Sequence, residues 1–219
     1  MSMTPDEAEY EEFMDRLYEE HKEQAIDEFT AELLQSYYRS NCLIAKPAFD
    51  ALVEARNLMK TSITGAFVFS AIAMEVALKE RLLKPIVHGL VHAGSVASLV
   101  TDLVMGHRSM DRYKDLLLQI LREHGGVDLL SYKRSGSEKS IWDEIKRVQT
   151  KRNLIVDTAQ VASEEEASLA LNVAFTIMET LFPSVIRKMG LHLHDGFRIC
   201  ADWKCQYVGT PLENIIKAT

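Results

Sequence analysis

The chain has 219 residues, 47% of them hydrophobic and 26% charged, with a formal net charge of −7. That apolar share excludes global disorder, and the scarcity of proline (5) and glycine (10) disfavours collagen-like, loop-dominated and many-stranded β folds. The charge alone argues against nucleic acid, but it is unevenly placed. Residues 1–32 hold 12 acids and 2 bases, net −10, while the rest of the chain keeps 20 acids and 23 bases, net +3. The two parts therefore need separate readings.

In chain order, Thr4 and Pro5 open a charged helix to about residue 39. Its apolar residues Phe13, Leu17, Ile26, Phe29, Leu33 and Leu34 recur at helical spacing. A second helix starts near Pro47 and runs through Phe49, Leu52, Val53, Met59, Ile63, Phe69, Ile72, Val76 and Leu83, where Pro85 ends or bends it. Gly65 marks a bend or a close helix contact within it. Residues 86–105 form a short apolar helix whose small residues permit close backbone approach. An amphipathic helix follows over about 109–123 and stops at Gly125-Gly126.

The stretch 131–140 is a polar loop, followed by a helix to about Val161. Ser163 with Glu166 is a capping box opening the last long helix, and Gly190 is its stop. In the tail, the segments FRIC and CQYV around ADWK suggest a small hairpin. The expected fold is an all-α bundle of five to seven helices with a small irregular or hairpin tail. Its parts are an acidic N-terminal helix (1–40), the bundle (41–190) and a tail packed on it (191–219).

The helix from residue 141 carries the most informative irregularity. Its apolar positions Ile141, Ile145, Val148, Ile155 and Ala159 leave one turn of the stripe unfilled, and Arg152 occupies it. A guanidinium at that phase must reach a carboxylate, a helix C-terminus, a solvent-filled cleft or the surface, because an unpaired buried charge is costly. Glu75 is a candidate partner from the second helix. The alternative is a surface ion pair between Glu75 and Lys79 at i, i+4.

The string Lys151-Arg152-Asn153-Leu154-Ile155-Val156-Asp157, led in by Ile141-Trp142 and Ile145, resembles the HEPN family. The helix from Phe69 to Lys79, with its recurring small residues and Glu75, is similar to that family's second helix. The resemblance covers roughly residues 47–190. It implies a helical bundle that dimerises and, in active members, cleaves RNA without metal. The motif there is an arginine, a polar residue and a histidine after four to six intervening positions.

By that resemblance Arg152 and Asn153 fill the first two places and Asp157 stands where the histidine is expected. Histidine serves as base and acid near neutral pH, whereas aspartate, with a reference pKa near 3.9, is a weak base and holds almost no proton there. Positions 152 and 157 are also about 140° apart around an ideal helix. The expectation is a HEPN-like protein of an RNA-processing, toxin or anti-phage setting, with ribonuclease activity doubtful. The competing class is a non-catalytic dimeric interaction or assembly module with an acidic docking helix.

Other candidates are weaker. His88 and His92 share a helical face at i, i+4 and offer imidazoles to Arg152, against the plainer reading of packed or exposed positions. Lys133, Arg134, Lys139, Lys146, Arg147, Lys151 and Arg152 form a basic strip with Tyr132 and Trp142, suited to single-stranded RNA or nucleotide phosphates, or simply a solvated face. An acidic N-terminal helix covering that strip, or docking on a partner protein, is the alternative to a solvated helix. His192, His194, Cys200 and Cys205 are four potential zinc ligands. A tail packing its thiols against the bundle is the preferred reading, so no cofactor or metal is expected. The acidic N-terminus and short uncharged runs point to a cytoplasmic protein that spans no membrane.

Overall fold

A computed structural model describes residues 5–91, 95–97, 99–100, 114–123, 126–202 and 204–205. Eight α-helices are defined among them: α1 (Pro5–Ser40), α2 (Lys46–Leu58), α3 (Ile63–Val76), α4 (Lys84–Leu90), α5 (Lys114–Glu123), α6 (Ile141–Thr158), α7 (Glu164–Thr176) and α8 (Phe182–Lys188). Strands β1 (His192–His194) and β2 (Arg198–Cys200) form one antiparallel hairpin after the bundle. The fold is thus an all-α bundle with a small β tail.

The helix expected to run unbroken from Pro47 to Leu83 is two helices. Ser62 caps α3, its Oγ accepting from the Gly65 N–H at 3.2 Å, so the chain turns between Leu58 and Ile63. Gly65 therefore lies in the first turn of a new helix, where a Cβ would meet Leu58 Cδ1 at 3.2 Å. The inner face of α3 also differs from expectation. Phe67, Ser70, Ala71 and Met74 are buried, and Ile72 is exposed. The core joins α2, α3, α6, α7 and α8 through Leu52, Phe67, Met74, Leu78, Ile145, Val173, Ile177 and Phe182.

Pro85 neither ends nor breaks its helix. A π-helical segment, Ala77–Leu83, links α3 to α4, and a second, Ile177–Leu181, links α7 to α8 just before Pro183. A proline lacks the N–H that would bond the carbonyl four residues back and clashes with it. Widening the turn relieves both problems. At Pro85 the carbonyl concerned is that of Arg81, and it accepts instead from the Tyr38 hydroxyl at 2.7 Å. Arg81 itself is fully buried between these elements. Its Nη2 donates to the Ala45 carbonyl, and its guanidinium lies 5.1 Å from the Phe182 ring centre. Burial pulls its pKa down to about 9, still above neutrality.

The first helix carries two apolar faces. Thr30, Leu33, Leu34, Tyr37 and Tyr38 dock on the bundle at i, i+3, i+4, i+7 and i+8. Gly89 of α4 allows this, since a Cβ there would lie 2.5 Å from Leu34 Cγ. That close approach is within the chain, not between copies. Tyr10, Phe13, Met14, Leu17 and Tyr18 repeat the same spacing twenty residues earlier, about 200° around the helix, and all are exposed. Phe13, Leu17 and Phe29 therefore do not belong to the core as the spacing suggested. Residues 86–90 close α4 rather than opening a separate helix over 86–105. The side chain of Ile26 lies outside the described residues, as do Thr4 and residues 92–94, 98 and 101–113, which include His92 and the start of the helix expected over about 109–123.

Glu164–Lys188 is long and apolar enough to cross a membrane, and half of it is buried inside the protein as core. In the tail, FRIC is a strand as expected, but its partner is His192–His194 rather than CQYV. The turn Asp195-Gly196 supplies the positive φ angles, 53° and 74°, that a tight hairpin needs. Residues 206–208 lie outside the described residues.

Candidate functional site

Helix α6 is built to hold Arg152 in place. Ser140 caps its start by accepting from the Asp143 N–H at 3.2 Å, and Ala159, at φ 54°, ends it in the left-handed conformation. Ile141, Ile145, Val148 and Ile155 are buried, and Ala159, beyond the helix end, is exposed. Packing against α3 and α7 brings the unfilled turn of the stripe over α3. There Arg152 Nη2 donates to Glu75 Oε1. The side chains are 30% and 15% exposed, so the pair sits at the edge of the core with part of the Arg152 side chain facing solvent. The Glu75–Arg152 pairing is the arrangement found.

The rest of the motif does not converge on this pair. Asn153 and Asp157 are exposed. His88 is on α4, where its ring stacks on Tyr37 at 4.7 Å, and burial, aided by Lys84, lowers its pKa. Among the described residues, no histidine contacts Arg152, and Glu75 is its ionic partner. The 77-residue separation made this pair invisible to local patterning; the gap in the stripe of α6 was the available signal.

The basic strip is partly spent inside the fold. Arg134 Nε donates to Glu144 Oε2 at 2.7 Å, and Ser137 Oγ donates to Glu144 Oε1 at 2.7 Å, anchoring the 131–140 loop on α6. Lys151 pairs with Glu166 at 3.2 Å; that carboxylate, held low in pKa chiefly by the Ser163 N–H, also completes the expected capping box. Lys133, Lys139, Lys146 and Arg147 are exposed. Trp142 is 2% exposed and Tyr132 packs against the core, so neither offers a stacking face to a base. The acidic residues from Glu9 to Glu20 are exposed on α1 and, among the described residues, cover no part of the strip.

One feature escaped the sequence reading. Arg81 sits in a Lys79-Glu80-Arg81 run that looks like a solvated face, and only Pro85, four residues on, hinted at a special turn. The tail, in contrast, brings together the four residues named there as the less favoured zinc set. His192, His194, Cys200 and Cys205 bring their ligand atoms within 4.8 Å of one another. His192 Nε2 is 3.0 Å from His194 Nε2, which is 3.1 Å from Cys205 Sγ. The hairpin is tied to the bundle by Ile199 N–H donating to the Cys42 carbonyl at 2.9 Å and by Phe197 against Phe49, ring centres 5.0 Å apart. These thiols therefore face the histidines, not the bundle core.

Comparison with protein-family models, curated proteins and solved structures finds no match. The geometry of the chain itself carries the functional reading.

Proposed function

We propose that the chain is a HEPN-like helical protein that binds RNA or a nucleotide phosphate without cleaving it, in an RNA-processing, toxin or anti-phage defence setting. The observation that carries this reading is the Arg152–Glu75 pair. It ties together the two helices on which the resemblance rests, and the Arg152 side chain stays 30% exposed on a helix that also carries exposed Asn153, Lys146 and Arg147. An aspartate in the motif histidine's place lacks the imidazole that would move the proton, so the surface suits holding a phosphate backbone rather than breaking it. Buried Trp142 removes stacking, so recognition there is electrostatic and tolerant of sequence.

The test is binding of a labelled single-stranded RNA at low salt, with a metal-free cleavage assay on the same samples. Binding without cleavage is expected, weakened about tenfold by Lys146→Glu with Arg147→Glu. Cleavage abolished by Arg152→Ala would overturn the non-catalytic half, and absence of binding would overturn the RNA half.

A second reading is favoured by a separate observation. The exposed stripe Tyr10, Phe13, Met14, Leu17 and Tyr18 is an apolar helix face without a partner in the described chain, as a dimeric assembly module would have. A second copy is the proposed occupant. Light scattering of the full chain beside Phe13→Glu with Leu17→Glu checks it; a monomer in both would end this reading.

A further inference from the structure

We infer that His192, His194, Cys200 and Cys205 form a tetrahedral zinc site that locks the C-terminal tail. It stands apart from the Arg152 surface. The hairpin creates most of it. Residues two apart on a strand share a face, so His192 and His194 point the same way from β1. Register places Cys200 directly across from His192, on that same face. The fourth ligand returns by a tight turn, in which the Cys205 N–H donates to the Asp202 carbonyl at 3.1 Å and the Lys204 N–H to Asp202 Oδ1 at 2.9 Å. Three ligands from one sheet face and one from a turn is a set that closes around a point.

The distances leave room for a cation among the four ligand atoms. Zinc bonds of about 2.0–2.3 Å put tetrahedral ligand atoms about 3.3–3.8 Å apart. The contacts of 3.0 and 3.1 Å and the 4.8 Å limit bracket that range. His194 Nε2 has a single in-plane orbital or proton, yet it faces both His192 Nε2 and Cys205 Sγ. It serves both only as a shared, weaker contact, whereas a cation at the centre satisfies all four. Cys200 Sγ also accepts from the Asp202 N–H at 3.4 Å, a supporting contact of the kind that orients a metal ligand. Two thiolates and two neutral imidazoles balance a divalent charge, and an N2S2 tetrahedron selects zinc over harder ions. All four positions are protein ligands, so the site is closed and structural rather than catalytic.

The experiment is metal analysis of the full chain purified without chelator, followed by chelation and titration with Co2+. About one zinc per chain is expected, and cobalt should give the strong visible absorption of a tetrahedral thiolate complex. Cys200→Ser and Cys205→Ser should each weaken cobalt binding by more than the roughly tenfold cost of losing a supporting hydrogen bond, and Cys42→Ser should leave it unchanged. The wild-type titration reads the site even if a variant misfolds. Zinc content well below one per chain with no tetrahedral cobalt spectrum, unchanged binding in both cysteine variants, or a Cys200–Cys205 disulfide in the native protein would overturn the assignment.

Discussion

Removing either member of the Arg152–Glu75 pair tests whether α6 is pinned to α3 by charge. Glu75→Gln leaves a guanidinium with nothing but a neutral amide, and Arg152→Met leaves a carboxylate that is 15% exposed. Breaking a fully buried pair costs about 3–5 kcal/mol, and an exposed pair is worth about 0.2–1 kcal/mol. The exposures of 30% and 15% put this pair between those limits. Each single change is therefore expected to cost about 2 kcal/mol, or a fall of about 4–8 °C in Tm for a chain of this size. The double variant should cost about 2 kcal/mol as well, a coupling near 2 kcal/mol. Urea unfolding followed by helical circular dichroism at fixed salt gives all four values. Additivity within about 0.5 kcal/mol would refute the pairing and with it the view that Arg152 is held at the helix crossing.

Gly89→Ala drives a Cβ to 2.5 Å from Leu34 Cγ, so α1 must shift off α4, and a loss of about 1–3 kcal/mol is expected in thermal unfolding. Tyr38→Phe deprives the Arg81 carbonyl of the hydroxyl that replaces the missing Pro85 N–H, at a cost of about 1–3 kcal/mol by the same measurement. His88 has a lowered pKa in the folded chain, chiefly through burial, so the unfolded chain takes up its proton first. Stability should therefore fall as the pH drops below about 6.5 towards the folded value, and His88→Gln should flatten that part of the curve in urea midpoints measured across it.

How much was legible in the sequence depended on how local the cause was. The capping box at Ser163, the Gly190 stop and the unfilled turn at Arg152 are signals spanning a few residues, and each reappears in the structure. The break at Ser62 was hidden because its flanks, Met59 and Ile63, both pack against the core and keep the hydrophobic stripe running across the turn. The π segments depend on what accepts the consequences of a proline from elsewhere, as Tyr38 does for Arg81, and no window around Pro85 contains Tyr38. The tail was misread for a different reason. Asp195-Gly196 marks a hairpin, and pairing β2 backwards rather than forwards puts three of the four scattered ligands on one face. On α1, the two apolar stripes each obey the same repeat within their own part of the helix, so a local window could not show that Phe13 and Leu33, twenty residues apart, lie about 200° around it from one another.

The distal stripe of α1 has a consequence for ionic strength. It is embedded in a segment, residues 1–32, whose net charge is −10. Bringing two such helices together through Tyr10, Phe13 and Leu17 sets like charge against like charge, so self-association must strengthen as added salt screens that repulsion. The phosphate binding proposed at Lys146, Arg147 and Arg152 runs the other way, because salt competes with the released counterions. One titration with sodium chloride thus separates the two proposed surfaces by the sign of the response: pairing of copies should gain with salt, and RNA binding should lose.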